Sequence, residues 1–206
     1  MPRIVDHNER RLEYQEAAMR VILRDGLDGA TTRAIARESG YSNGVLSHYF
    51  TDKDTMMRAV VQMSHDRINA RWDRKLVGLR GMAALKELLV DNIPLDGERD
   101  AETRLEISMW GRALVSPDLR ALQDQEATRL RELALDFIVQ AHEDGELAEE
   151  TNDTLLLERL LALMDGLSVR MLVGPSGLTR DIACQIIEEE VDSRWVKNNL
   201  PPSGTR

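Results

Sequence analysis

Among its 206 residues this chain has a single cysteine, Cys184. That excludes an intrachain disulfide and a cysteine zinc site, and it fits a reducing cytoplasm. Gly and Pro are sparse in the long periodic stretches, and aromatic residues make up 4% of the chain. Nowhere do alternating β-branched residues persist as a strand requires. The opening segment, Met1 to His7, has no apolar run, so no signal peptide is expected. The most apolar stretch, 155–173, carries Glu158, Arg159, Asp165 and Arg170, too many charges for a membrane span. His7, His48, His65 and His142 form no metal spacing, and no Gly-rich phosphate loop, zinc helix or nucleophile elbow occurs. No cofactor, metal site or catalytic residue is therefore expected, and the chain is not read as an enzyme.

What is present favours helix. Leu, Ala, Arg and Glu dominate, and all four are good helix formers. Period and punctuation predict about nine helices, three short and then six longer. Asp6 with Glu9 resembles a capping box opening the first helix, which ends near Gly26. Thr31 and Thr32 open the second, which ends at Ser39-Gly40. Ser42 caps the third, through about Tyr49. Thr51 with Asp54 caps a long fourth, striped by Met57, Val61, Ser64, Ile68 and Trp72. The fifth runs from about Met82 to Ile93, a polar loop covers Leu95 to Asp100, and the sixth spans Ala101 to Val115. Ser116-Pro117 starts a seventh that reaches Asp144. The eighth spans Asp153 to Val173, and the ninth runs from Thr179 to near Lys197.

The net charge of −9 argues at first against a nucleic-acid partner. Its distribution changes that. Residues 1–58 hold nine Arg or Lys and nine Asp or Glu, whereas residues 59–206 hold 18 and 27. A neutral N-terminal part with its cations on one face is compatible with phosphate, the acidic remainder turning away.

The informative segment is 31–53. Two short helices flank Ser39-Gly40-Tyr41, with Gly40 where a tight turn needs positive φ. Ile35, Ala36, Val45, Leu46 and Phe50 lie at core-facing spacing. Ser42, Asn43, Gly44, Ser47, His48 and Tyr49 are left on the other faces of a helix only about 10 Å long. This set is polar, short-armed and nearly uncharged. A major groove admits one helix, and short side chains let its backbone approach base edges. Thr31 and Thr32 offer hydroxyls and amides at a helix N-terminus, suited to phosphate. Arg33 joins them as a candidate, and Lys53 can meet phosphate in the same way.

These residues carry a resemblance. Residues 7–60 resemble the DNA-binding domain of the TetR family of bacterial repressors. The matching stretches are Thr31-Thr32-Arg33-Ala34-Ile35-Ala36, Ser39-Gly40-Tyr41-Ser42, and Gly44-Val45-Leu46-Ser47-His48-Tyr49-Phe50 followed by Lys53. The resemblance implies a homodimer, a recognition helix at Ser42–Tyr49, and phosphate contacts from Thr32, Tyr49 and Lys53. The family often has an aromatic residue where this chain has Ser47, so base preference does not carry over. The Ser47-to-Phe50 version, and Met164-Asp165-Gly166-Leu167 with Arg170, are similar to the subgroup containing choline-responsive betaine-pathway repressors.

The expected fold is all-α. A three-helix helix-turn-helix domain covers 1–52, a helical ligand-binding and dimerisation domain covers 53–200, and a flexible tail covers 201–206. Between 155 and 173, 13 of 19 residues are apolar and spread round the helix. Leu156, Leu160, Leu163 and Leu167, with Ile182 and Ile186 of the ninth helix, are read as a four-helix dimer interface. Met63, Trp72, Glu106, Met109, Trp110, Phe137 and Met164 are candidate walls of an effector pocket. Glu106 and Asp165 are acids suited to a cationic ligand, with Asp165 also able to serve Arg170. The partners expected are a double-stranded DNA operator, a small-molecule effector and a second copy of the chain, with no membrane. Two rival readings are a helical enzyme using the same cavity and a protein–protein adaptor presenting the short polar helix.

Overall fold

A computed structural model describes residues 7–174 and 177–195. These residues form nine helices and no strand. The tail expected at 201–206, the cap at Asp6 and the end of the ninth helix near Lys197 lie outside the described residues.

The chain forms two compact units, Met1–Ala70 with Ala101–Gln125 and Arg71–Asp100 with Glu126–Arg206. In the first unit, α1 (His7–Gly29) keeps helical geometry until Gly26, whose φ of 75° breaks it. A final turn then runs to Gly29. Helix α2 (Thr32–Ser39) opens on Thr31, whose Oγ1 accepts from the Ala34 amide at 3.1 Å. It closes on Gly40 at φ 76°, a left-handed position that glycine adopts without Cβ strain. Helix α3 (Asn43–Tyr49) follows. Helix α4 (Lys53–Lys75) is capped by Asp52 rather than Thr51. Asp52 Oδ1 accepts from the Thr55 amide at 2.7 Å, while Thr51 donates its hydroxyl to Oδ2. That amide bond, first, holds the Asp52 carboxyl below its ordinary range.

Tyr14, Ala18, Val21, Ile22, Ile35, Phe50, Met57 and Val61 are buried together in this unit. Leu105 and Met109 of α6 (Gly97–Ala113) join them. Burying an aliphatic or aromatic side chain of this size contributes about 1.5–3 kcal/mol. This cluster holds α2 and α3 on α1. Helix α6 starts before the expected Ala101, because Asp96 caps it. Its Oδ1 accepts from the Arg99 amide at 2.9 Å, and the Arg99 guanidinium turns back to Oδ2 at 2.7 Å.

In the second unit α5 (Gly81–Asp91) packs against α8 (Asp153–Val173) and α9 (Arg180–Asp192), and α8 packs against α9. Leu85, Leu88, Leu89, Leu157, Leu160, Ile187 and Val191 are buried. Helix α7 (Pro117–Glu143) starts at the proline predicted to open it and contributes Phe137, Ile138 and Ala141 to the buried set. No helix among the described residues is long and apolar enough to cross a membrane.

Candidate nucleic-acid interface

The turn between α2 and α3 is tied by its own backbone. The amide of Tyr41 donates to Ala36 O at 3.1 Å, and that of Gly40 reaches Arg37 O. Buried Ile35, Ala36 and Phe50 hold this hairpin from behind. Its other side faces outward. Thr31, Thr32 and Arg33 stand exposed at the start of α2, and Ser42, Gly44 and His48 stand exposed along α3. Asn43 and Ser47 lie in α3 by backbone, but their side chains are outside the described residues.

Tyr49 and Lys53 are half-buried, and each has a partner that the sequence does not announce. The Tyr49 ring lies 5.4 Å from that of buried Tyr14, and its hydroxyl is 3.0 Å from His7 Nδ1. Lys53 Nζ donates to the carbonyl of Leu27 at 2.7 Å. An ammonium has three N–H groups, so two remain directed elsewhere. His7 escaped the sequence reading because 42 residues separate it from Tyr49. No local spacing encodes such a pairing.

Several acids of this unit are paired with its own cations. Glu38 receives Arg20 at 2.9 Å and Arg24 at 2.8 Å. Those bonds, that of Arg24 first, keep its carboxyl below the ordinary range. Arg67 meets Glu16 at 2.6 Å, and Arg112 meets Asp54 at 2.9 Å. Tyr41 donates to Glu13, with Arg10 stacked over its ring at 5.2 Å. Arg33 and Arg37 stay exposed on α2. A surface of hydroxyls, an imidazole and guanidiniums, with Glu38, Glu16 and Asp54 held by arginines, suits a polyanion.

Comparison with known proteins decides the family. The family model described as "Bacterial regulatory proteins, tetR family" matches residues 16–60. The one described as "BetI-type transcriptional repressor, C-terminal" matches residues 81–196. The chain belongs to the TetR family of transcriptional regulators. Its relatives are regulators and not enzymes. It is 28% identical to the HTH-type transcriptional regulator PksA of Bacillus subtilis, covering 96% of both chains. It is 25% identical to the HTH-type transcriptional regulator BetI of Pectobacterium carotovorum, covering 96% of this chain and all of that one. Its fold matches that of a putative transcriptional regulator from Saccharomonospora viridis, solved in complex with choline. There the TM-score is 0.87 and the identity 23%, over 92% of this chain and 98% of the other.

In this TetR-family regulator the candidate pocket residues divide between the units. Met63, Glu106, Met109 and Trp110 belong to the first, and Trp72, Phe137 and Met164 to the second. Met63, Met109, Trp72, Phe137 and Met164 are buried, whereas Trp110 is 38% exposed. Glu106 lies 3.2 Å from buried His65 Nε2 and accepts from Trp110 Nε1 at 3.4 Å. Among the described residues no group of three or more His, Cys, Asp or Glu is placed to hold a metal ion.

The residues read as a dimer interface differ in exposure within the single chain. Leu156, Leu160 and Leu167 are buried within their own subunit, on the side of α8 that serves the intrachain core. A helix that is apolar nearly all round does not reveal from sequence which side its own chain covers. Leu155 and Ile182 do stand exposed, and Leu163 and Ile186 are half-buried.

Proposed function

We propose that this regulator binds a palindromic DNA operator as a homodimer and is released from it by a small-molecule effector in the cytoplasm. On this reading residues 1–52 read DNA, and residues 53–200 bind the effector and dimerise. Each α3 enters a major groove, and the two half-sites lie about one helical turn, or a multiple of it, apart.

Gly44 carries the reading. It is exposed within α3, and among the described residues an added Cβ there would approach only Ser42 Oγ, at 4.0 Å. Its φ is not among the positive ones. Neither packing among the described residues nor a positive φ asks for glycine here, which lowers helix stability by about 1 kcal/mol. Close approach of an outside surface to the helix backbone accounts for it. The exposed hydroxyls and imidazole beside it suit base edges and phosphates.

The dimer is supported in a similar way. Gly166 is exposed in mid-α8, and a Cβ there would meet no atom of the described residues within 4 Å. Exposed Leu155 lies on the same helix and exposed Ile182 on α9, which suits a symmetric apolar contact with a second copy. For the effector, a carboxyl group beside a part-exposed indole, Glu106 with Trp110, suits an organic cation. The choline complex of the Saccharomonospora viridis regulator supports that class. Release requires the effector to bind the two conformations of α4 unequally.

A salt-titrated binding assay tests the proposal. A selected palindrome should bind far more tightly than random duplex, with affinity falling steeply as salt rises. Absence of duplex binding at low salt, or a monomer by sedimentation in the presence of duplex, would overturn it.

A further inference from the structure

Tyr49 closes the reading helix with its ring and hydroxyl fixed by different partners. The ring rests 5.4 Å from that of Tyr14, which is fully buried. The hydroxyl lies 3.0 Å from Nδ1 of His7, whose ring is tilted 43° to the tyrosine at 6.0 Å. Both polar groups reach the surface, where water satisfies either one alone. Their bond therefore contributes little to stability and is available for another role.

Proton counting specifies that role. A tyrosine hydroxyl has one proton to donate and accepts through oxygen. A phosphodiester oxygen only accepts. If Tyr49 gives its proton to phosphate, the bond to His7 survives only with Nδ1 as the donor. We infer that His7 positions Tyr49 for DNA as a relay, in which Nδ1–H donates to the tyrosine oxygen and the tyrosine O–H donates to a phosphodiester oxygen. With Nδ1 unprotonated, Tyr49 donates inward to His7 and has nothing to give the backbone. Neutral His7 with its hydrogen on Nδ1 and doubly protonated His7 both turn the hydroxyl outward. A chain of two such bonds also polarises its outer proton, which strengthens the contact to an anion. This inference rests on the reading of α3 as a DNA-binding helix. It assigns His7, at the start of α1 rather than in α2 or α3, to the interface.

The test uses full-length protein and a fluorescein-labelled random-sequence duplex of about 30 base pairs, read by anisotropy at low salt. His7→Ala and Tyr49→Phe should each weaken binding about 3- to 10-fold, the net worth of one ordinary hydrogen bond. The double variant should be no weaker than the weaker single. His7→Asn places an amide N–H at the Nδ1 position and should restore affinity to within about 2-fold of wild type. Melting temperatures should stay together throughout. Unchanged binding by His7→Ala while Tyr49→Phe is impaired overturns the relay, as do losses that multiply in the double variant or an Asn that fails to rescue. A wild-type protein that binds no duplex overturns the DNA reading and the relay together. Binding that is lost in Lys53→Ala and Tyr49→Phe but kept in His7→Ala overturns the relay alone.

Discussion

Lys53, the first residue of α4, donates from Nζ to the carbonyl of Leu27, in the turn that ends α1, at 2.7 Å. A cation at a helix C-terminus satisfies a carbonyl and meets the negative end of the helix dipole. The lysine that family resemblance assigns to phosphate is thus also a tie between α1 and α4.

Two readouts should therefore move in Lys53→Ala. Loss of the bond should lower stability by about 1 kcal/mol, a fall in Tm of about 2–4 °C for a chain of this size. Duplex binding should weaken on all sequences, with the salt slope reduced by about 1. Thermal melts beside salt-titrated anisotropy separate the effects. An unchanged melt would remove the structural role, and an unchanged slope would remove the phosphate contact.

Glu146 caps α5 from a distant part of the chain, accepting from the Met82 amide at 2.8 Å. Gly81 has a φ of 56°, and a Cβ there would overlap the Glu146 carboxyl. Gly81→Ala should destabilise by about 2–3 kcal/mol, combining the strain of positive φ with loss of a cap. In a Glu146→Ala background the clash is already gone, so the same change should cost less. Urea unfolding of the four proteins measures the coupling, and additive costs would refute it.

The helix-turn-helix was legible because local chemistry writes it. Thr31 caps, Gly40 turns, and Ile35 and Ala36 face the core, all within a short window. Helix α8 matches its predicted span for the same reason, with Asn152 accepting from the Leu155 amide before it and Gly174 after it. What the sequence hides is the choice among long-range partners. Asp52, not Thr51, caps α4, because two neighbouring residues were each competent and only the final backbone selects one. Leu156 and Leu160 are buried in their own chain, a choice of side that a helix with 13 apolar residues in 155–173 does not reveal locally. The pairings of His65 with Glu106 and His7 with Tyr49 join residues 41 and 42 positions apart.

Asp91 is 1% exposed and gathers Arg71 at 2.8 Å, Lys75 at 2.8 Å and Arg99 at 3.5 Å. Removing a buried charge leaves its partners uncompensated, which costs more than the pair contributes. Asp91→Ala should lower stability by about 3–5 kcal/mol. A loss below about 1 kcal/mol by urea unfolding would show that the cations find water instead.

Asp96 gives a pH prediction. Its carboxyl is lowered from 3.8 to about 2, first by the Arg99 side chain and then by the Arg99 amide. A folded value below the unfolded one means that its contribution is complete above about pH 4 and is lost as pH falls toward 2. Asp96 is half-exposed, so solvent screens the effect. Asp96→Asn should be less stable than wild type at pH 7, and the two melting curves should converge between pH 4 and 2. Parallel curves across that range would contradict the assignment.

Glu106 is bound twice, by His65 Nε2 on α4 and by Trp110 Nε1 one turn along α6. A cation arriving at this carboxyl group would compete for one of those bonds, and that competition would couple its binding to α4. Choline is the probe. It should raise the melting temperature of the wild type with dose, as a ligand specific to the folded state must. Glu106→Gln keeps the shape of the side chain but removes the acid. It should melt slightly lower without ligand, because His65 loses an acidic partner in a buried site. More decisively, its shift with choline should shrink by at least half. Trp110→Leu should also reduce the shift while leaving His65 and Glu106 in contact. Equal choline shifts in all three proteins would remove Glu106 and Trp110 from effector binding. No shift in the wild type at millimolar choline would remove choline itself as the effector.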